Sequence, residues 1–150
     1  MKFKYLVALI VVLFISCGMS FAAESVELAG HSFDVPKDFS VNKTNDNATS
    51  LVFNNNTNYT IFISAGEVPD FETAKNSRAV AGFNFLADDN YTSENNVSVH
   101  QQNYIKNESY YSYYSFNLNG TSFLISYTFP VDDSLNGEDN PVNEIIESFN

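Results

Sequence analysis

Between Ser109 and Phe129 the chain reads SYYSYYSFNLNGTSFLISYTF, two alternating runs on either side of Asn119-Gly120. Asn-Gly between alternating runs is the strongest short-range hairpin signal, because a type I′ turn needs positive φ at both central residues. That turn fixes the register. Leu118 faces Thr121, Phe116 faces Phe123, Tyr114 faces Ile125, Ser112 faces Tyr127 and Tyr110 faces Phe129. This side of the hairpin is aromatic and aliphatic. The other side, with Ser115, Asn117, Ser122 and Ser126 beside Tyr111 and Tyr113, is mostly polar. One face is predicted to be core and the other wet or half-covered.

Upstream, Val26–Leu28, Ala29-Gly30 and His31–Val35 read as a small hairpin or a bent strand, and Phe39–Val41 starts a strand after a turn at Pro36–Asp38. Residues 42–50 (NKTNDNATS) hold almost nothing apolar and predict a loop. Leu51–Phe53 and Tyr59–Ser64 read as strands, with Tyr59, Ile61 and Ile63 on one face. After Pro69 the period changes. Asp70 caps a predicted helix from Phe71 to about Ala87, whose apolar stripe is Ala79, Val80, Phe83, Leu86 and Ala87. Within it, Gly82 is read as a point of close approach to the sheet. Residues 88–96 read as loop, and a strand starting at Val97 fades through His100–Asn103. Asn140-Pro141 then opens a short last helix with Val142, Ile145, Ile146 and Phe149 on one face. The expected fold is α+β: an antiparallel sheet of six or seven strands covered by one long helix and one short C-terminal helix.

Residues 1–22 change the picture of where this domain works. Lys2 and Lys4 precede an eleven-residue apolar run, Tyr5–Ile15, and Ser20-Phe21-Ala22 offers small residues for cleavage. This is a secretory signal peptide pattern, and the run is too short for a bilayer span of about 20 residues. A cut before Cys17 would instead leave a lipid-modified cysteine, although the residues before it lack the usual lipoprotein pattern. Membrane contact is thus expected only through the leader or a lipidated Cys17. The remaining 23–150 read as one domain with no cysteine, and so no disulfide. Its five basic residues face eighteen acidic ones, a formal charge of −13, which predicts no nucleic-acid partner.

Asparagine is the most unusual feature. Eight of the twenty asparagines begin an Asn-x-Ser/Thr triplet: Asn42, Asn47, Asn55, Asn58, Asn90, Asn96, Asn107 and Asn119. Roughly four would arise by chance at this composition. Each is a glycosylation candidate; the alternative is that loops simply attract asparagine for its turn preference. Asp132, Ser134, Asn136 and Glu138 resemble the start of a calcium loop, with Gly137 at the sixth position. The closing acid is missing, since Asn143 stands there and Glu144 comes one place late, so a solvated acidic loop is the competing reading. His31 and His100 lack partners at zinc-ligand spacing. Nucleophile elbows, phosphate loops and cofactor motifs are absent, and no cofactor is predicted. Tyr111 and Tyr113 are binding candidates, suited to stack on sugar rings or seat a partner; otherwise they pack against the edge of a helix or a neighbouring strand.

The stretch Phe33-Asp34-Val35-Pro36-Lys37-Asp38-Phe39 is similar to an F-x-V/I-P-x-G-F opening, with Asp38 where the pattern prefers glycine. Together with the leader, the aromatic hairpin and the Asn-led final helix, it resembles the small secreted, asparagine-rich proteins that methanogenic archaea encode in many copies. More distantly it is similar to α/β sandwiches of the PsbP/Mog1-like class. The likeness spans the mature chain and implies an archaeal cell surface and a fold, without an activity or a site. The expectation is an exported, non-catalytic envelope protein binding polysaccharide or a surface protein. The alternatives are a glycan-directed hydrolase with an unrecognised carboxylate pair and a lipid-anchored surface protein.

Overall fold

The computed structural model describes residues 23–132 and 140–150. The leader, with Cys17, lies outside the described residues. The strands are β1 (Ser25–Leu28), β2 (His31–Asp34), β3 (Phe39–Asn45), β4 (Ala48–Phe53), β5 (Asn56–Ala65), β6 (Asn84–Thr92), β7 (Ser98–Lys106), β8 (Ser109–Leu118) and β9 (Thr121–Pro130). Two helices, α1 (Phe71–Val80) and α2 (Pro141–Ser148), complete the described fold. β1 and β2 form a separate hairpin, while the other seven strands make one antiparallel sheet in the order β3-β4-β5-β9-β8-β7-β6.

The β8–β9 hairpin sits at the centre of that sheet. Asn119 and Gly120 turn with φ of 50° and 90°, and all five expected pairs, from Leu118↔Thr121 to Tyr110↔Phe129, are present. On its apolar face Tyr114, Phe116, Phe123 and Ile125 join Leu51, Ile61, Ile63 and Val99 from flanking strands. The β1–β2 hairpin and α2 cover them with Leu28, Phe33, Val142, Ile145, Ile146 and Phe149. Full burial of such side chains contributes about 1.5–3 kcal/mol each. Backbone bonds between Ser32 and Asn150, at 3.1 and 3.0 Å, knit the C-terminus to β2. Asn140 caps α2 as predicted, its side chain accepting from the Val142 N–H at 3.0 Å with Pro141 in the first turn.

The single long helix is not found. α1 begins at the expected cap, with Asp70 accepting from the Thr73 N–H at 3.0 Å, but it stops at Val80. Gly82 takes φ 85°, its N–H bonds to the Ala79 carbonyl at 3.0 Å, and the Phe83 N–H bonds back to Arg78 at 3.0 Å. This is a Schellman stop. A Cβ on Gly82 would meet only the Lys106 stem, at 3.9 Å, so its left-handed backbone, rather than close approach, calls for glycine. Phe83, Leu86 and Ala87 therefore lie beyond the helix, the last two in β6.

Two predicted loops are also strands. Residues 42–50 contain the β3–β4 hairpin, turned at Asp46-Asn47, where the Asn45 side chain accepts from the Asn47 and Ala48 N–H groups at 3.0 and 2.9 Å. Residues 88–92 belong to β6, and β7 runs unbroken through His100–Asn103. β3 and β6 are the sheet's outer strands, exposed enough to carry polar residues that read as loop. Asp38, in the glycine place of the F-x-V/I-P-x-G-F opening, adopts φ 66°. That left-handed backbone explains the pattern's preference.

Candidate functional site

Opposite the core, α1 lies on the second sheet face, held by cations on rings and by half-buried Phe71, which meets Phe85 at 6.2 Å and His100 at 5.3 Å, rather than by a broad apolar stripe. Its one buried residue is Ala74, and Val80 is 92% exposed. The Arg78 guanidinium stacks 3.6 Å from the Tyr113 ring centroid and bonds to the Gln102 side chain. Lys75 sits 4.1 Å from the Phe85 ring. From β7, Lys106 sits 4.6 Å from Phe83 and donates to the Ala81 carbonyl at 2.8 Å. Tyr111 meets Phe83 edge-on at 4.9 Å. Tyr111 and Tyr113 are thus half-buried anchors for α1 and the Gly82 turn, not an open aromatic platform.

A cleft of about 380 Å³ opens on the core side, beside the start of α2. The β strands build its floor through alternation. Gln101 and Asn103 of β7 stand opposite Tyr114 and Ser112 of β8, all on the face that is otherwise apolar. Tyr110, Tyr127 and Phe129 supply ring walls, Leu86 lies at one side, and Asn140-Pro141 closes the end. Two register devices put these groups there: the bulge between Phe85 and Ala87 displaces Leu86, and Pro141 starts α2 over the sheet.

The polar groups form one chain. Ser112 Oγ donates to Asn103 Oδ1 at 2.8 Å, and Gln101 Nε2 donates to the same oxygen at 2.9 Å. Gln101 Nε2 also lies 3.3 Å from the Tyr114 hydroxyl, to which Asn140 Nδ2 donates at 2.9 Å. The Asn103 amide N–H donors and the Gln101 carbonyl have no partner among the described residues. Burial holds the Tyr114 hydroxyl above the usual phenol range, outweighing the bonds from Asn140 and Ser112 that pull it down. None of the described lining residues is acidic, basic or histidine. The described lining is therefore neutral at physiological pH, with amide donors and acceptors between aromatic walls. Ser112 was the available signal, as the one polar residue in the row Tyr110, Ser112, Tyr114, Phe116; the amides facing it appear only once the β7 register is known.

A second groove of about 210 Å³ adjoins the cleft through the shared residues Tyr127 and Pro141, and it is lined by Lys37, Asp38 and Glu144 among others. The histidines lie apart. His31 stacks edge-on against Phe123 at 5.5 Å, while His100 Nε2 lies 3.6 Å from Asp88 beneath α1. Among the described residues no group of three or more His, Cys, Asp or Glu could hold a metal ion. Of the calcium-loop candidates Asp132 is exposed, whereas Ser134, Asn136 and Glu138 lie outside the described residues. All eight glycosylation candidates are exposed. Asn47, Asn55, Asn96, Asn107 and Asn119 are in turns; Asn42, Asn58 and Asn90 are in strands.

No family model matches the chain, and no curated protein matches it in sequence. In three dimensions it is similar to the solution structure of cyanobacterial PsbP (CyanoP) from Synechocystis, with a TM-score of 0.59 at 10% identity, over 89% of this chain and 95% of that one. That likeness supports a distant PsbP-like fold. A crystal structure from Bacteroides thetaiotaomicron gives a TM-score of 0.41 at 10% identity, over 80% of this chain and 44% of that one, too low to bear on the fold.

Proposed function

We propose that this chain is an exported, non-catalytic binding module of the cell envelope, and that the cleft beside α2 takes an uncharged, polyhydroxylated ligand such as a neutral segment of envelope polysaccharide. The observation that carries this reading is the lining: Gln101, Asn103, Ser112 and Asn140 among Tyr110, Tyr114, Tyr127 and Phe129, with no ionised side chain among the described residues. A sugar hydroxyl both donates and accepts, which is the complement of a carboxamide. The C–H face of a sugar ring packs on tyrosine, as apolar surface does. A volume of about 380 Å³ lies within the range of small-molecule sites, about 300–1,000 Å³. The leader pattern supports export, and the Asn-rich composition with the Phe33–Phe39 opening supports a place among secreted archaeal proteins.

Calorimetric titration with neutral oligosaccharides, set beside uronic-acid counterparts, tests the assignment. Saturable binding of the neutral compounds, lost in Asn103→Ala, is expected. Failure of every neutral sugar, or a preference for the acidic ones, would remove it. Release of reducing ends during the titration would point instead to the glycan-directed hydrolase.

A further inference from the structure

We propose that the folded chain is N-glycosylated on the rim of its sheet, and that sugars on Asn42 and Asn90 guard its two outer strands, which pair outward with no described strand. The seven-stranded sheet ends in β3 on one side and β6 on the other. An outer strand presents unpaired N–H and C=O groups on which a second copy can pair. Each of these strands carries an acceptor triplet. Asn42 is the extra residue of the β3 bulge, between Val41 and Lys43, and Asn90 pairs inward with His100, with no described strand on its outer side.

The triplet is recognised through both its amide and its hydroxyl, so a folded acceptor must expose both residues. Asn42 and Thr44 are exposed, the Asn42 amide making a long, exposed bond of 3.5 Å to the Ser50 hydroxyl, and Asn90 and Thr92 are exposed too. Asn47 is the internal contrast. Its partner Thr49 is 1% exposed, with the hydroxyl donating to the Lys43 carbonyl at 3.2 Å. No triplet asparagine lines the cleft, so this inference stands apart from the ligand reading.

In the reaction, Asn Nδ2 attacks the anomeric carbon of an oligosaccharide carried on a polyprenyl phosphate. The C–N bond forms as the bond from that carbon to the phosphate oxygen breaks. The lipid phosphate leaves with the electron pair, and an Nδ2 proton passes to a base of the transferase. Peptide mapping by mass spectrometry of the protein from its own host tests the modification. Sugar mass is expected at Asn42 and Asn90, with Asn47 at clearly lower occupancy. Bare peptides at Asn42 and Asn90 would overturn the proposal, and equal occupancy at Asn47 would overturn the folded chain as acceptor. Thr44→Ala with Thr92→Ala, both at exposed positions, removes the two triplets; Asn42→Gln with Asn90→Gln removes them by another route. Sedimentation is expected to show concentration-dependent association in both pairs but not in the parent chain. Unchanged monomers in both would overturn the edge-guarding role.

Discussion

Replacing Arg78 with methionine tests how α1 stays on the sheet. The substitution keeps an unbranched stem of similar reach and removes the cation. The guanidinium lies 3.6 Å from the Tyr113 centroid and 5.1 Å from that of Tyr104, in a partly desolvated place where such a contact is worth about 2 kcal/mol. It also donates to Gln102, which is 5% exposed; losing that bond costs up to about 1 kcal/mol more, since the Tyr104 hydroxyl still reaches Gln102 Oε1 at 2.9 Å. Apolar burial compensates only in part, through buried Ala74 and half-buried Phe71. Loss of about 2–3 kcal/mol from docking corresponds to opening of α1 about 30- to 150-fold more often. Native-state hydrogen exchange is the assay, because it separates local opening of α1 from global unfolding. Accelerated exchange at α1 amides, with β8 and β9 far less affected, is expected. Arg78→Lys should recover only part of the loss, as an ammonium lacks the planar fork. Exchange at α1 unchanged in Arg78→Met would refute the claim that cations on rings dock this helix.

Three other outcomes follow from backbone and titration chemistry. Gly82→Ala places a side chain at φ 85° and should cost about 1–2 kcal/mol in urea unfolding, with no change in m. Asp38→Gly, relieving φ 66° in the turn before β3, should stabilise the fold by up to about 1 kcal/mol, read as a raised Tm. Burial raises the Tyr91, Tyr113 and Tyr114 phenols above the ordinary 10.0. Above pH 10 the unfolded chain gives up these protons while the fold keeps them, so stability is intact below pH 10 and falls as pH rises past it. Tyrosinate absorbance should show a late component that rises together with loss of structure.

How far the fold could be read depended on whether the deciding interaction was local. The β8–β9 register was legible because Asn119-Gly120 permits one tight turn and the alternation leaves no second pairing that buries both apolar rows. The α2 cap was legible in Asn140-Pro141 for the same reason. The end of α1 was misread because Phe83 and Leu86 continue a helical spacing, and a single glycine often sits inside a helix. What ended it was the left-handed backbone at Gly82, with Lys106, distant in sequence, bonded to the Ala81 carbonyl. β3 and β6 were misread because an outer strand needs a pairing partner more than an apolar sequence. The cleft was not legible, since Asn103 and Ser112 meet only through the β7–β8 ladder. The alternation left Tyr111 and Tyr113 with two readings, a binding surface or packing against a helix edge or a strand, and only the fold brings Phe83 and Arg78 over them.

The cleft is the centre of the functional account, and the side-chain amides of Gln101, Asn103 and Asn140 report on it directly. Their N–H₂ resonances should shift together and saturably as a neutral oligosaccharide is added, while those of Asn76 and Asn84, outside the cleft, stay fixed. Shifts confined to other surfaces, or none in these three amides at saturating sugar, would contradict the assignment of this cleft as the binding site.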